Sequence, residues 1–467
     1  MSSSKLVAKN LISLTIAEFS SRILSVIYSI YLARVLSVAG FGLFGASKYF
    51  VVFFLPIASL GLDAIGTREI ARDKSKIKMI VNNILTIRII FGILIYLILI
   101  LITLSLNKSD LEKTMILIFG LNILASNTLL NWVFQAVERL NVYALRTIIV
   151  NVMNFFGIIL FVHSPNDLLI SASVVSLTLI INSIWMFLLY VKDYGLFKFE
   201  FHWNLWKEYI KAGFPIALTF FIVGVYNNEG VVLLNFLSNN FETGIFSAAF
   251  NVLAVSILLS SILQTVYYPI FSKTTDFIER KNVIKQYTRL TFTLGTYIPL
   301  FLIIFADKVA LLFGKDYSAS ILTMRILLIS CLVIYYNITL FSPLIAWKYE
   351  NKVVFSNTLG LIVATIANFI LIPKFGANGA AIATVFGEFA VFAVLVYIFF
   401  PIFQTIFIKD YIFSFFISLV STLPFVFFEV NKYVSILLMF LSFGTFIALN
   451  LYLKIFSINE ILKLIKR

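Results

Sequence analysis

Apolar runs of about 20 residues recur along the whole chain, each long enough to cross a hydrocarbon core of about 30 Å as a helix. The runs are continuous rather than alternating. That excludes the period-two pattern of a membrane barrel and leaves helices, which satisfy their backbone groups within each segment. With 61% hydrophobic and 12% charged residues in 467, the chain carries about half the charge fraction of a soluble domain. Spans are predicted at residues 11–33, 41–62, 84–106, 113–133, 145–162 and 168–190, then at 212–235, 243–269, 289–313, 321–343, 354–372 and 378–403. Two more follow at 408–428 and 433–454. The expected fold class is an all-α polytopic membrane protein of about 14 transmembrane helices, arranged as six, six and two.

Residues 1–10 are polar and basic, and the run after them holds Glu18 and Arg22 without a small-residue cleavage site. A retained first helix is expected rather than a signal peptide. The single cysteine, Cys331, falls inside an apolar run, and His163 and His202 lie in different loops. No disulfide, metal site or cofactor is expected. Lysine and arginine accumulate on the cytoplasmic side of membrane spans. With the N-terminus inside, the inside segments hold 25 of them and the outside segments seven, which predicts both termini in the cytoplasm. The net charge of +14 then reflects loops facing anionic lipid. Nucleic acid is not an expected partner, since the basic stretches at 68–78 and 273–289 lack the folded context of a nucleic-acid module.

A weak internal repeat organises the spans. Gly42-Leu-Phe-Gly-Ala46 opens the second and Gly244-Ile-Phe-Ser-Ala248 the eighth, and a basic inside loop follows each. Because six is even, the halves enter from the same side, so the repeat is parallel, with a substrate site expected between them. The expected organisation is an N-terminal six-helix lobe (1–190), a cytoplasmic linker (191–211), a C-terminal six-helix lobe (212–405) and an added helix pair with a basic tail (406–467).

The chain contains Leu32-Ala-Arg-Val-Leu36 with Gly40-Phe-Gly42, Gly61-Leu-Asp63 leading to Arg68-Glu-Ile-Ala-Arg72, Leu312-Phe-Gly314, and Ile372-Pro-Lys-Phe-Gly376-Ala-Asn-Gly379. In their order and spacing these segments together resemble polysaccharide-biosynthesis flippases of the O-antigen transporter type, in the superfamily that includes the multidrug and toxin extrusion transporters. The resemblance covers roughly residues 5–400. It implies a non-enzymatic transporter in the bacterial cytoplasmic membrane. The implied cargo is a polyprenyl-diphosphate-linked oligosaccharide, moved to the outer leaflet by alternating access. Membrane lipids and glycan polymerase or chain-length machinery are the implied partners. Where relatives are expected to carry an acidic residue in the seventh span, this chain has Tyr226-Asn-Asn-Glu-Gly230.

Ionised groups deep in a span should face a cavity, a partner or a substrate. Glu18, Arg22, Lys48, Glu229 and Glu388 qualify by depth, while Arg88 and Arg325 lie near span ends and could snorkel. Glu18 and Arg22 are spaced i, i+4, so they either neutralise each other or Arg22 turns to substrate phosphate, which guanidinium binds bidentately. Lys48 has no carboxylate at helical spacing and reads as a cavity cation; Arg88 is a third candidate for substrate binding. Glu229 and Glu18 are candidates for ion coupling. Asn227-Asn228-Glu229-Gly230 suggests local unwinding of the seventh span, with a hydrogen-bonded buried carboxylate as the alternative. Gly376, Ala380 and Thr384 suggest a small face for close helix packing. No Gly-x-x-x-x-Gly-Lys-Ser/Thr loop is present, which argues against intrinsic ATP hydrolysis. The rival readings are a multidrug or cation antiporter and, in a different class, a membrane glycan polymerase or ligase.

Overall fold

The computed structural model describes residues 20–404, 407–424 and 432–453. Glu18 and the start of the first expected span lie outside the described residues. The chain divides into two compact units, Met1–Ser247 and Ala248–Arg467.

In the first unit the helices are α1 (20–35), α2 (Ser37–Val52), α3 (Phe54–Ser59), α4 (Leu62–Arg72), α5 (Ile77–Ser105), α6 (Asp110–Thr128), α7 (Asn131–Ala136), α8 (Leu140–Phe161), α9 (Leu168–Tyr194) and α10 (Trp203–Leu237). The chain passes into the second unit within α11 (Asn240–Lys273). There follow α12 (Phe277–Ile304), α13 (Ala306–Phe313), α14 (Ser320–Ala346), α15 (Glu350–Phe403), α16 (Ile408–Thr422) and α17 (Lys432–Tyr452). Among the described residues ten helical segments are long and apolar enough to cross a membrane. The protein is an all-α polytopic membrane protein.

Local chemistry sets the ends of these helices. Ser109 accepts from the Glu112 amide at 3.3 Å and opens α6, the usual N-cap arrangement. Before α9, the Asp167 carboxylate takes the amides of His163 and Ser164 at 2.9 and 2.8 Å. The break between α3 and α4 falls at Leu60 and Gly61, with φ of 53° and 66°. Glycine occupies this left-handed region without steric cost. A Cβ on Gly61 would meet the Gly213 carbonyl oxygen at 2.5 Å, and one on Gly213 would meet that of Leu60 at 2.3 Å. The break therefore rests directly on the backbone of α10.

The opening turns of α2 and α11, the two copies of the repeat, also touch backbone to backbone. A Cβ on Gly42 would stand 2.1 Å from the Asn240 carbonyl oxygen, and one on Gly244 would stand 1.9 Å from that of Val38. Both glycines are there because no side chain fits.

The α9–α10 linker is strapped to α5. Asn82 and Asn83 each donate to one oxygen of Glu200 at 2.8 Å, and the Glu200 amide reaches Thr86 Oγ1 at 3.3 Å. Trp206 Nε1 donates to Asn83 Oδ1 at 3.2 Å. Ion pairs join loops expected on one side of the membrane: Lys74 to Glu138 at 3.9 Å, and Arg139 to Asp193.

In the second unit α15 contains a chain reversal. Gly376 has φ 53° and ψ −130°, which no helix contains, and a Cβ on Gly379 would lie 2.3 Å from the Leu371 carbonyl oxygen. Residues eight apart in a straight helix are separated by about 12 Å, so α15 is two arms joined at Gly376. This corrects the expected small face. Gly376 is in the turn and does not share a helix face with Ala380 and Thr384, and the close approach is made by Gly379. An aromatic cluster holds the other end, with Phe271 5.5 Å from Trp347 and Trp347 Nε1 donating to the Phe271 carbonyl at 2.6 Å. The helices beyond residue 406 join this unit through hydroxyl pairs, Thr296 to Ser418 at 2.8 Å and Tyr297 to Ser442 at 3.2 Å.

Candidate functional site

The candidate cations of the first unit fall into two groups. Arg22 on α1 is exposed, and Lys48 on α2 is half-buried with its ammonium 5.6 Å from the Tyr49 ring centroid. Among the described residues no carboxylate lies within ion-pairing distance of either cation. A charged group that is exposed within a membrane helix needs water, a headgroup or an anion beside it.

Arg88 belongs to the other group. It is 2% exposed, because α5 begins at Ile77 and places it three turns inside the helix rather than one. This corrects the snorkelling alternative. Its guanidinium pairs with Asp63 at the start of α4 and donates to the carbonyls of Ser126, at 2.6 Å, and Leu129, at 3.5 Å. It thus joins α4, α5 and the C-terminal end of α6, where helix carbonyls lack intrahelical partners. Arg146 lies within electrostatic range of Asp63 and donates through Nε to Asn182 Oδ1 at 3.0 Å. Arg146, second residue of the predicted span 145–162, sits six residues into α8. Neither Asp63 nor Arg146 stood out in the sequence. Asp63 lies at the edge of a predicted span, and its partner is 25 residues away, beyond any helical spacing.

Glu229 is 5% exposed in α10. The expected unwinding there is not found, since α10 is continuous from Trp203 to Leu237. Asn228 Nδ2 donates to the Gly224 carbonyl one turn back at 2.9 Å, so this polar side chain is satisfied by the helix itself. Gly230 instead admits the Phe246 ring, which a Cβ would meet at 3.0 Å. Arg325 is exposed and reaches the Ile303 carbonyl at 3.3 Å. No group of three or more His, Cys, Asp or Glu side chains is placed to hold a metal among the described residues.

The family model described as "Polysaccharide biosynthesis protein" matches residues 7–275, more than half of the chain. The chain belongs to the polysaccharide biosynthesis protein family. An Escherichia coli (strain K12) relative provisionally named an O-antigen transporter is 22% identical over 326 residues, covering 68% of this chain and 78% of that protein. The capsular polysaccharide biosynthesis protein CapF of Staphylococcus aureus is 26% identical over 271 residues, covering 55% of this chain and 66% of CapF. Among solved structures, the lipid II flippase MurJ in an inward closed conformation superposes with a TM-score of 0.76 at 15% identity, covering 94% of this chain and 98% of MurJ. An inward-facing multidrug resistance MATE transporter follows with 0.62 at 14%, covering 84% and 98%. The family member described here therefore has the MurJ and MATE type of fold.

Proposed function

We propose that this family member is a flippase that carries a polyprenyl-diphosphate-linked oligosaccharide, such as an O-antigen repeat unit, from the cytoplasmic to the outer leaflet by alternating access. The family match and the relatives named for O-antigen transport and capsular polysaccharide biosynthesis support a glycan pathway. The observation that carries the charge of the cargo is the pair of cations on α1 and α2, Arg22 and Lys48, which no described carboxylate neutralises. A diphosphate headgroup crossing a low-dielectric core needs such partners, while its polyprenyl tail can stay in lipid. A cationic drug, the cargo of the MATE reading, would be repelled by the same two side chains. Arg88, already committed to Asp63, acts in this reading by fixing the helices that carry the cations.

Glu229, buried in α10, is assigned the coupling ion, with Glu18 as a second carboxyl. The chain works without covalent chemistry, in the bacterial inner membrane with both termini cytoplasmic, and hands its product to polymerase and chain-length machinery. The test is complementation of a flippase-null strain. Losing a desolvated cation from a phosphate costs about 2–5 kcal/mol, so Arg22→Ala and Lys48→Ala should fail and Lys48→Arg should rescue better than Lys48→Gln. Glu229→Gln should insert normally and not transport. Wild-type transport by the two alanine variants would overturn the assignment.

A further inference from the structure

The second unit holds a buried carboxyl that the transport reading leaves unused. Glu388 is on the second arm of α15, eleven residues after Ala377. At about 1.5 Å per residue that is about 16 Å along the helix, near the middle of a core about 30 Å thick. Glu388 is 8% exposed and faces Asn337 of α14, which is 2% exposed. Asn337 Nδ2 donates to Glu388 Oε2 at 2.9 Å and to the Glu388 carbonyl oxygen at 3.1 Å. The other end of the same amide, Asn337 Oδ1, is buried without a hydrogen-bond partner.

That orphan acceptor says which form of the carboxyl the pair is built for. A primary amide presents a donor and an acceptor side by side, whereas an ionised carboxylate only accepts. Beside a carboxylate, Asn337 Oδ1 has no proton to accept. Opposite a carboxylic acid, both ends of the amide are used: Nδ2–H donates to Oε2, and the acid O–H donates to Oδ1, closing a ring of two hydrogen bonds. The added proton also removes a charge that is costly to bury.

We propose that Glu388 and Asn337 form a proton-binding site in the second unit. One proton from water bonds to the Glu388 carboxylate on uptake, is held between the two side chains, and returns to water on release. The titratable groups toward it from α14 are Cys331, within electrostatic range of Glu388, and Tyr336, whose ring packs at 5.0 Å on Phe392, one turn beyond Glu388. From α16, Tyr411 packs on Tyr336 at 5.1 Å, and Asp410 is in electrostatic range of Tyr336. With the carboxyls assigned to ion coupling in the first unit, this site would give the second unit a protonatable carboxyl of its own.

The test is infrared difference spectroscopy of the full-length protein in lipid nanodiscs, between mildly acidic and mildly alkaline buffers. It needs no cargo, so its outcome is independent of the flippase reading. The wild type should show the carbonyl stretch of a protonated carboxyl that is lost on raising the pH. That component should be missing from Glu388→Gln and shifted in Asn337→Leu, where the hydrogen-bonded ring cannot form, and it should persist in Glu229→Gln. Glu388→Gln should fold as well as wild type, because the glutamine amide supplies the same acceptor and donor to Asn337. A spectrum unchanged by Glu388→Gln overturns the proposal. So does a Glu388 signal that follows added sodium at fixed pH instead of following pH.

Discussion

The Asp63–Arg88 pair should behave as a structural joint whose two halves are unequal. Removing one member of a buried ion pair costs about 3–5 kcal/mol, because the survivor stays buried and uncompensated. Arg88 is 2% exposed as a side chain and Asp63 45%. In Asp63→Ala the guanidinium is stranded with only the carbonyls of Ser126 and Leu129, which places the loss near the lower end, about 3 kcal/mol. In Arg88→Met the surviving carboxylate can reach water, and the loss is that of the hydrogen bonds to α6, about 1–2 kcal/mol. Asp63→Ala should therefore be the more damaging single change. The double variant should be more stable than the sum of the two predicts, by a coupling of about 1.5–3 kcal/mol, because no buried charge remains. The assay is thermal unfolding of the four proteins in nanodiscs, followed by helical circular dichroism. Additive losses, or Asp63→Ala as stable as wild type, would refute the account of Arg88.

Three other outcomes follow from the packing and the charge pattern. Gly42→Ala and Gly244→Ala should each cost about 1–3 kcal/mol by forcing a Cβ into a backbone carbonyl, whereas Gly224→Ala, with nothing within 4 Å, should be tolerated; equal tolerance of all three in the same unfolding assay would contradict the crossing of α2 and α11. Asn83→Leu should free the linker from α5 and speed proteolysis between residues 195 and 202, as read on gels. In a Cys331→Ser background, Ser75→Cys and Arg280→Cys should resist an impermeant thiol reagent applied to intact cells and Asn166→Cys should react; labelling of the first two would reverse the expected topology.

What the sequence reveals is what depends on one segment at a time. Run length and hydrophobicity locate helices because a bilayer tests each span separately, and the predicted 168–190 and 321–343 lie within α9 and α14. The two glycines of the repeat were legible only as matching positions, and their close crossing shows in the structure, where a Cβ on either would strike a backbone carbonyl. Features that depend on two segments are hidden. Asp63 and Arg88 have no common periodicity, and nothing in the predicted span 145–162 shows that its Arg146 comes within electrostatic range of Asp63. The Gly376 reversal was masked by a four-residue spacing that reads equally well as a helix face. In Asn227-Asn228-Glu229-Gly230 the polarity is real, but a helix can absorb it through bonds to its own carbonyls. Glu388 stood out by depth, and its partner Asn337 did not, since a single buried asparagine has no sequence signature.

The central claim is movement of an anionic lipid-linked glycan across the bilayer. It is tested most directly with purified protein in vesicles carrying a polyprenyl-diphosphate-linked saccharide in the inner leaflet, to which an impermeant glycosidase is added outside. Wild-type protein should make the saccharide progressively cleavable without ATP, and the Arg22→Ala and Lys48→Ala proteins should not. Cleavage no faster than in protein-free vesicles, or equal cleavage with wild type and both variants, would contradict the account.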